Sequence, residues 1–486
     1  MTTRQLPLFG ARRQQKACFF DLRGGKDSAK FSAYTPKAVK FFSEKYSLAV
    51  VTKPEDLAAF DVVFFSLHCF RDFYRVARMA HHKRPGQQWI AGGNACTTPT
   101  AVAWIMDYIW IGDCRASFPL LIAGERDLQG LYDPRNERLI RYVDEDIDPE
   151  PLTASEMEVS KGCPRRCLFC IHPWRHHYQE APQEKVEAFI RAQPGKGVGL
   201  MSNSSDDISY YDDIADILTA TGKTDMTVSN AVQGLTEQIV SQRKRELFLG
   251  VEGMSERLRW VVNKPIPRAV YRDKLDLCLS HGKQIRTVYQ FNLPGEEMHD
   301  FDELEDDVRC FQKKYSKGSW AIPFIPNQPS AHTPFQWVVP RYSVEMSERL
   351  MEFRKSLFGS NKTGVAFYSP AALGPAKWFA QVISEWIAIT PTVADAVERL
   401  PQKQDVQTMV DALDCMGVAL PRAFLHRDKD TVFPWSNVIT TGDDADKWKR
   451  FAGMQKKLAS ERFQSGAPVV EDREELRKRA GGTAAA

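Results

Sequence analysis

The sequence is short of several things, and each shortage excludes a class of protein. No run approaches the roughly 18–20 apolar residues of a membrane-spanning helix. The N-terminus, MTTRQLPLFGARRQQK, lacks the apolar stretch of a secretory signal. Neither sign of charge dominates: 65 Lys and Arg against 62 Asp and Glu leave +3 over 486 residues. That balance alone gives no argument for nucleic acid or membranes. There is no internal repeat and no long low-complexity segment. Cysteine is sparse, and seven of the ten stand apart: Cys18, Cys69, Cys96, Cys114, Cys278, Cys310 and Cys415. Buried packing in a reduced compartment accounts for each of those. A cytoplasmic protein of two or three domains is the expectation.

What is present is alternation. Residues 17–125 set short apolar runs (ACFFDL, SLAVVT, FDVVFFSL, QWIAGGN, DYIWIGD) between amphipathic stretches such as FRDFYRVARMAHH. Strand–helix alternation of this kind predicts a doubly wound parallel sheet with ligand loops at the strand ends. Those loops hold Ser66, Gly92, Gly93, Asn94 and Gly112. Residues 126–152 are polar, with prolines near the end, and read as a connector. A second series follows in 153–345: EMEVS, GVGLMSN, DMTVSNA, ELFLGVEG, QIRTVYQFNLPG and WAIPFIP, with helices between. Six strands so spaced predict a partial (β/α)6 barrel with its site at the C-terminal mouth. Residues 346–486 read as a helical region with a basic tail, and residues 1–16 as an N-terminal tail. The expected fold class is α/β throughout the first two parts.

The exception to the dispersed cysteines is SKGCPRRCLFCIHPWRHH, residues 160–177, where Cys163, Cys167 and Cys170 are spaced C-x3-C-x2-C. Three thiols this close in a reduced compartment imply metal. Structural zinc wants four ligands, and His172, His176 and His177 offer a fourth. An iron–sulfur cube also takes four; with three from the protein, one iron stays open to a substrate.

C-x3-C-x2-C directly after a strand, with the aromatic Phe169 before the last cysteine, resembles the radical S-adenosylmethionine (radical SAM) superfamily. The resemblance implies that Cys163, Cys167 and Cys170 hold a 4Fe-4S cluster whose unique iron chelates SAM. It implies reductive cleavage of SAM to a 5′-deoxyadenosyl radical that abstracts hydrogen from a substrate carbon, with electrons from an external flavodoxin- or ferredoxin-type donor. GVEGMSERLRWVVNK (250–264) and HGKQIRTVYQFNLPGE (281–296) resemble the family's fourth and fifth strand regions, and HTPFQW (332–337) recurs in related chains. SNSSDD (202–207) falls where the family holds the SAM amino group. On this resemblance Phe169, Asp206, Asp207 and Glu252 are SAM-pocket candidates; strand-end caps and solvated carboxylates are the plainer reading of the acidic ones. Residues 17–125, through FDVVFFSLHCFRDFYRVARM, WIAGGNACTTPTAVAW and YIWIGDCRASFPLLI (within 60–122), resemble the cobalamin-binding domain that precedes many radical SAM cores. The resemblance makes Ser66, Gly92, Gly93 and Gly112 candidates for a cobalamin-like pocket. No Asp-x-His-x-x-Gly sequence supplies a lower cobalt ligand, and GDCR (112–115) replaces the usual Gly-Glu-Gly-Glu turn.

Two reaction types follow: cobalamin-dependent C-methylation, or a rearrangement (isomerisation) without cobalamin. No catalytic residue is identifiable. A methylthiotransferase-like enzyme would use Cys18, Cys69 and Cys96 for a second cluster, although the local sequences do not match. A non-catalytic metal- or nucleic-acid-binding scaffold is the reading from another class. Lys161, Arg165, Arg166, Arg175, His176 and His177 surround the cysteines, and QRKR (242–245) and KWKRFAGMQKK (447–457) add further basic groups. They are compatible with a nucleotide or DNA substrate, such as a modified thymidine; a solvated amphipathic helix is the simpler account of the last.

Overall fold

The computed structural model describes residues 15–22, 35–136, 138–148, 150–151, 155–203, 207–227, 229–242, 246–315, 319–358, 374–402 and 404–465. The architecture is α/β with a helical C-terminal part. Strands β1 (Ala17–Phe20), β2 (Ala49–Val51), β3 (Val62–Ser66), β4 (Gln88–Gly92) and β5 (Tyr108–Trp110) pair in parallel in the order β2-β1-β3-β4-β5. At one edge β6 (Leu131–Tyr132) joins β5 antiparallel. Central β3 buries Val62, Val63, Phe64 and Phe65 in succession, as a strand covered on both faces must.

The two faces of this sheet differ. Phe19, Phe64, Ile90 and Trp110 point to one side and pack with Val39, Phe118 and Leu121 from the helices Thr35–Tyr46 and Phe118–Ile122. Cys18, Phe20, Val63, Phe65 and Trp89 point to the other, into a core continuous with the rest of the molecule. There the helix Phe70–Met79 meets the C-terminal helices Pro375–Ile383 and Pro391–Glu398. Tyr74 Oη donates to the Ala380 carbonyl at 3.0 Å, and Ile389 N to that of Ala101 at 2.9 Å. An Arg78–Glu398 pair lies on the exposed edge of this contact.

The segment expected as a connector is structured. Besides β6 it contains β7 (Ile140–Arg141), which pairs in parallel with β18 (Val438–Ile439), and Val143 bridges Gly112. After it, β8 (Glu156–Glu158) leads into β9 (Ser160–Lys161), which pairs antiparallel with β10 (Gln179–Glu180). β8, β11 (Gly197–Met201) and β12 (Thr224–Asp225) form one parallel run. β13 (Ser229–Asn230), β14 (Glu246–Glu252), β15 (Gln284–Phe291), β16 (Ser319–Ala321) and β17 (Phe324–Pro326) form another. β12 and β13 share the third place in the series; among the described residues no ladder joins the two runs, so the barrel is partial and open.

The helix Asp444–Leu458 carries the basic segment. Its Lys447 is buried and Nζ bonds Thr440 Oγ1 at 3.3 Å and Asp444 Oδ1 at 3.1 Å. Trp448 and Phe451 pack on Trp337, with ring centroids 5.2 and 6.0 Å away. The aromatics that suggested a nucleic-acid face therefore serve the core. Residues 243–245 of QRKR lie outside the described residues. Among the described residues no helix is long and apolar enough to cross a membrane.

Candidate active-site cavity

The cysteine loop leaves β9 through Gly162 at φ +73°, where a side chain would strike the His177 backbone. Three hydrogen bonds from neighbouring elements hold the loop. Asn203 Nδ2 donates to the Gly162 carbonyl at 2.6 Å, Asn263 Nδ2 to that of Arg166 at 2.8 Å, and Leu168 N to that of Val262 at 3.0 Å. Leu168 and Phe169 pack into an apolar cluster with Leu258, Phe335 and Met454. Phe169 meets Phe335 edge-on at 6.2 Å and does not line the cavity described below.

Burial pushes the Cys163 thiol up to about 12, with the neighbouring Cys167 adding to it. Burial also raises Cys167 and Cys170. Lys264 and Arg165 act the other way on Cys167 and favour its thiolate. Metal binding would draw the protons off these thiols. Among the described residues, the set of three possible ligands lying within 4.8 Å of one another is Asp113, Asp144 and His176. Lys161 Nζ occupies it, 2.5 Å from Asp113 and 3.2 Å from Asp144. The cysteine sulfurs are spread more widely than that, whereas thiolates on one zinc sit about 3.8 Å apart at a Zn–S distance of about 2.3 Å. Two of the histidine alternatives are committed elsewhere: His176 Nδ1 lies 2.8 Å and His177 Nδ1 3.0 Å from Asp144 oxygens. The donor set and its spread fit a three-cysteine cluster better than a single ion.

The basic residues around the loop are consumed internally. Arg165 grips Asp207 with two bonds of 2.9 and 2.5 Å, Arg166 pairs with Asp446 at 3.2 Å, and Arg175 donates to Asn94 O and Thr97 Oγ1. Trp174 is fully buried between the guanidinium groups of Arg166 and Arg450, 5.6 and 5.4 Å from its ring.

Asp206 lies outside the described residues. Asp207 is held by Arg165, as above. Glu252 sits at a bulge with φ +73°, pairs with Lys264 at 3.1 Å and accepts from Gln290 Nε2 at 2.7 Å. Ser66, Gly92, Gly93 and Gly112 all line one cavity of about 580 Å³. It runs from the C-terminal ends of β1, β3, β4 and β5 to the segments flanking the cysteines, Ser160–Gly162 on one side and His172 on the other. Gly93 and Gly112 have internal reasons to be glycine: at φ +106° and +112°, side chains would strike the backbones of Leu67 and Val143. Gly92 has none, since a Cβ there would meet only Trp110 Cβ, at an ordinary 3.6 Å. Its bareness serves the cavity.

Of the second-cluster candidates, Cys18 and Cys96 are fully buried core residues, and exposed Cys69 caps the helix Phe70–Met79. Sequence reasoning passed over Asp113, Asp144, Glu145 and Glu158; for Glu158 the signal was there, a carboxylate alternating with Met157 and Val159 in EMEVS.

Residues 157–308 match the radical SAM superfamily. The chain carries a radical SAM domain. The matched stretch runs from β8 into the helix Asp300–Lys314. The uncharacterized protein MJ0966 of Methanocaldococcus jannaschii is 23% identical over 334 residues, 61% of this chain and 72% of that one. Among solved structures, the radical SAM methyltransferase TsrM from Kitasatospora setae, with cobalamin and a 4Fe-4S cluster bound, aligns at 13% identity and a TM-score of 0.47, covering 93% of this chain and 100% of that one. The cobalamin-dependent SAM radical enzyme OxsB aligns at 10% and 0.44, covering 96% and 83%.

Proposed function

We propose that this protein is a radical SAM enzyme of the reducing cytoplasm whose Cys163, Cys167 and Cys170 hold a 4Fe-4S cluster, and that the 580 Å³ cavity is its reaction chamber. One observation carries the reading: residues just before and after the cysteine loop line the same cavity as the strand ends of the N-terminal sheet. When bound, cluster and SAM would supply a radical that removes hydrogen from a substrate carbon, with electrons from a flavodoxin- or ferredoxin-type partner. The chain's own residues prepare the place. Lys264, which Glu252 keeps charged against the cost of burial, favours the Cys167 thiolate. Glu252 and Gln290 form a fixed polar pair at the end of β14, where SAM would be oriented. The sheet covers the barrel mouth and excludes water from the radical.

Cobalamin fits the sheet side of the cavity. Bare Gly92, Ser66 and the aromatic arm under the helix Thr35–Tyr46 would hold it, and it would supply a methyl group to the activated carbon. C-methylation is therefore the reaction we favour, and rearrangement is the reading to adopt if no cobalamin binds.

The test begins with protein purified without oxygen, reconstituted with iron and sulfide, and offered hydroxocobalamin. We expect about four irons per chain, 5′-deoxyadenosine or methionine released from SAM under a strong reductant, and stoichiometric cobalt. Cluster and SAM cleavage without cobalt would replace methylation by rearrangement. Absence of SAM cleavage, or a Cys167→Ala variant that keeps it, would overturn the enzyme reading.

A further inference from the structure

Among the described residues, two carboxylates lining the cavity have no partner: exposed Asp146 and the half-buried Glu158. Glu158 ends β8 and lines the cavity, while Met157 and Val159 on either side of it are fully buried in the core behind. Among the described residues it accepts no hydrogen bond and forms no ion pair. Apart from exposed Asp146, the neighbouring carboxylates are engaged. Asp113 takes Lys161, Asp148 takes Arg115 at 2.6 Å, and Glu145 accepts the backbone N–H groups of Arg115 and Ala116, both at 3.1 Å.

Two independent features mark the space as built for a polar ligand. Arg175 is only 6% exposed, lines the cavity, and has a buried Nε–H without an acceptor, which an oxygen elsewhere on the ligand, not its amine, would meet. Ser202 Oγ, buried and also unpartnered, follows Met201, the residue in register with Glu158. Polar groups left unsatisfied inside a protein cost free energy unless something comes to meet them. The sign of that visitor follows from charge. Five carboxylates line the cavity against three Arg and Lys side chains, and Lys161 and Arg115 are already spent on carboxylates. A phosphate would meet the uncompensated Glu158; a cation would neutralise it.

We infer that Glu158 anchors the substrate, and that the substrate offers it a protonated amine. This rests on the cavity being the reaction chamber proposed above. Burial pushes the Glu158 carboxyl upward against the pull of Arg115 and Lys161, and an arriving ammonium would pull it back down.

The experiment is ligand-observed saturation-transfer NMR on the full chain with its cluster reconstituted. The probes are phenethylamine, its neutral isostere 2-phenylethanol, and thymidine monophosphate. The amine should bind about tenfold more tightly than the alcohol, the scale of one partly desolvated charge contact. Glu158→Gln should erase that preference, Glu158→Asp should keep part of it, and Glu398→Gln on the exposed edge should leave it unchanged. Equal affinities for amine and alcohol, an amine preference that survives Glu158→Gln, or tighter binding of the nucleotide would each overturn the inference. SAM cleavage is measured on the same samples. Cleavage without amine preference removes only the Glu158 anchor; Glu158-dependent amine binding without cleavage removes only the enzyme reading.

Discussion

The two walls of the cavity are built on opposite plans. The sheet side is apolar: Phe19, Phe64, Trp110 and Phe118 face it from β1, β3, β5 and the helix Phe118–Ile122, held by side-chain packing and, at Trp110, by a 2.8 Å bond from Nε1 to the Asp113 carbonyl. The barrel side is polar, and nearly every charge on it is tied to a named partner, as Lys161 is to Asp113 and Asp144. The apolar wall offers volume and is indifferent to orientation. The polar wall offers fixed points, with Glu158 left free. A radical enzyme needs both, since the substrate must be admitted and then held with one carbon at the right place.

Breaking this contrast should cost most at the cysteines. Cys167→Ala should lose the cluster's visible absorption and all SAM cleavage, because the remaining thiols cannot hold three irons of a cube. On the apolar wall, Phe64→Ala removes a ring stacked among Phe19 and Phe118 at 5.5 and 5.1 Å. It should destabilise the fold by about 3–5 kcal/mol in urea unfolding. On the polar wall, Lys161→Met leaves Asp113 and Asp144 without their cation. It should cost about 3 kcal/mol, near the lower end for a buried pair broken from one side, and loosen the cysteine loop enough to lower iron retention.

A subtler difference is in pH. Burial pushes the Glu296 carboxyl up to about 8, although it accepts from Asn292 N and Leu293 N. Its folded value thus lies above its unfolded one, so its contribution to stability is fully present below about pH 4.5 and is lost as pH rises through about 8. Glu296→Gln should flatten the urea midpoint across that window. The smallest effect belongs to His177, 74% exposed beside the largely buried His176. His177→Ala should change stability by less than about 0.5 kcal/mol.

The sequence showed the five parallel strands of the first sheet because buried parallel strands are continuous apolar runs such as VVFF, which no surface element imitates. It also showed the cysteine loop, whose three cysteines lie within one short segment. It did not show what the basic residues do, because their partners are remote: Arg166 finds Asp446, and Lys161 finds Asp113, only after folding. Nor could Ile140–Arg141 be read as a strand, since two residues carry no periodicity and their partner is Val438–Ile439. Charge near a site was visible, but its availability was not.

The short turn Asn94–Thr97 is gripped from two directions. Arg175 donates to Asn94 O and Thr97 Oγ1, and the fully buried His332 reaches Thr97 O at 2.8 Å. Burial holds His332 down to about 3, so it stays neutral. The two donors come from opposite ends of the barrel's chain, one just after the cysteines and one beyond the last strand. The roof is riveted rather than hinged. Admission of a ligand should therefore leave the Asn94–Thr97 turn in place.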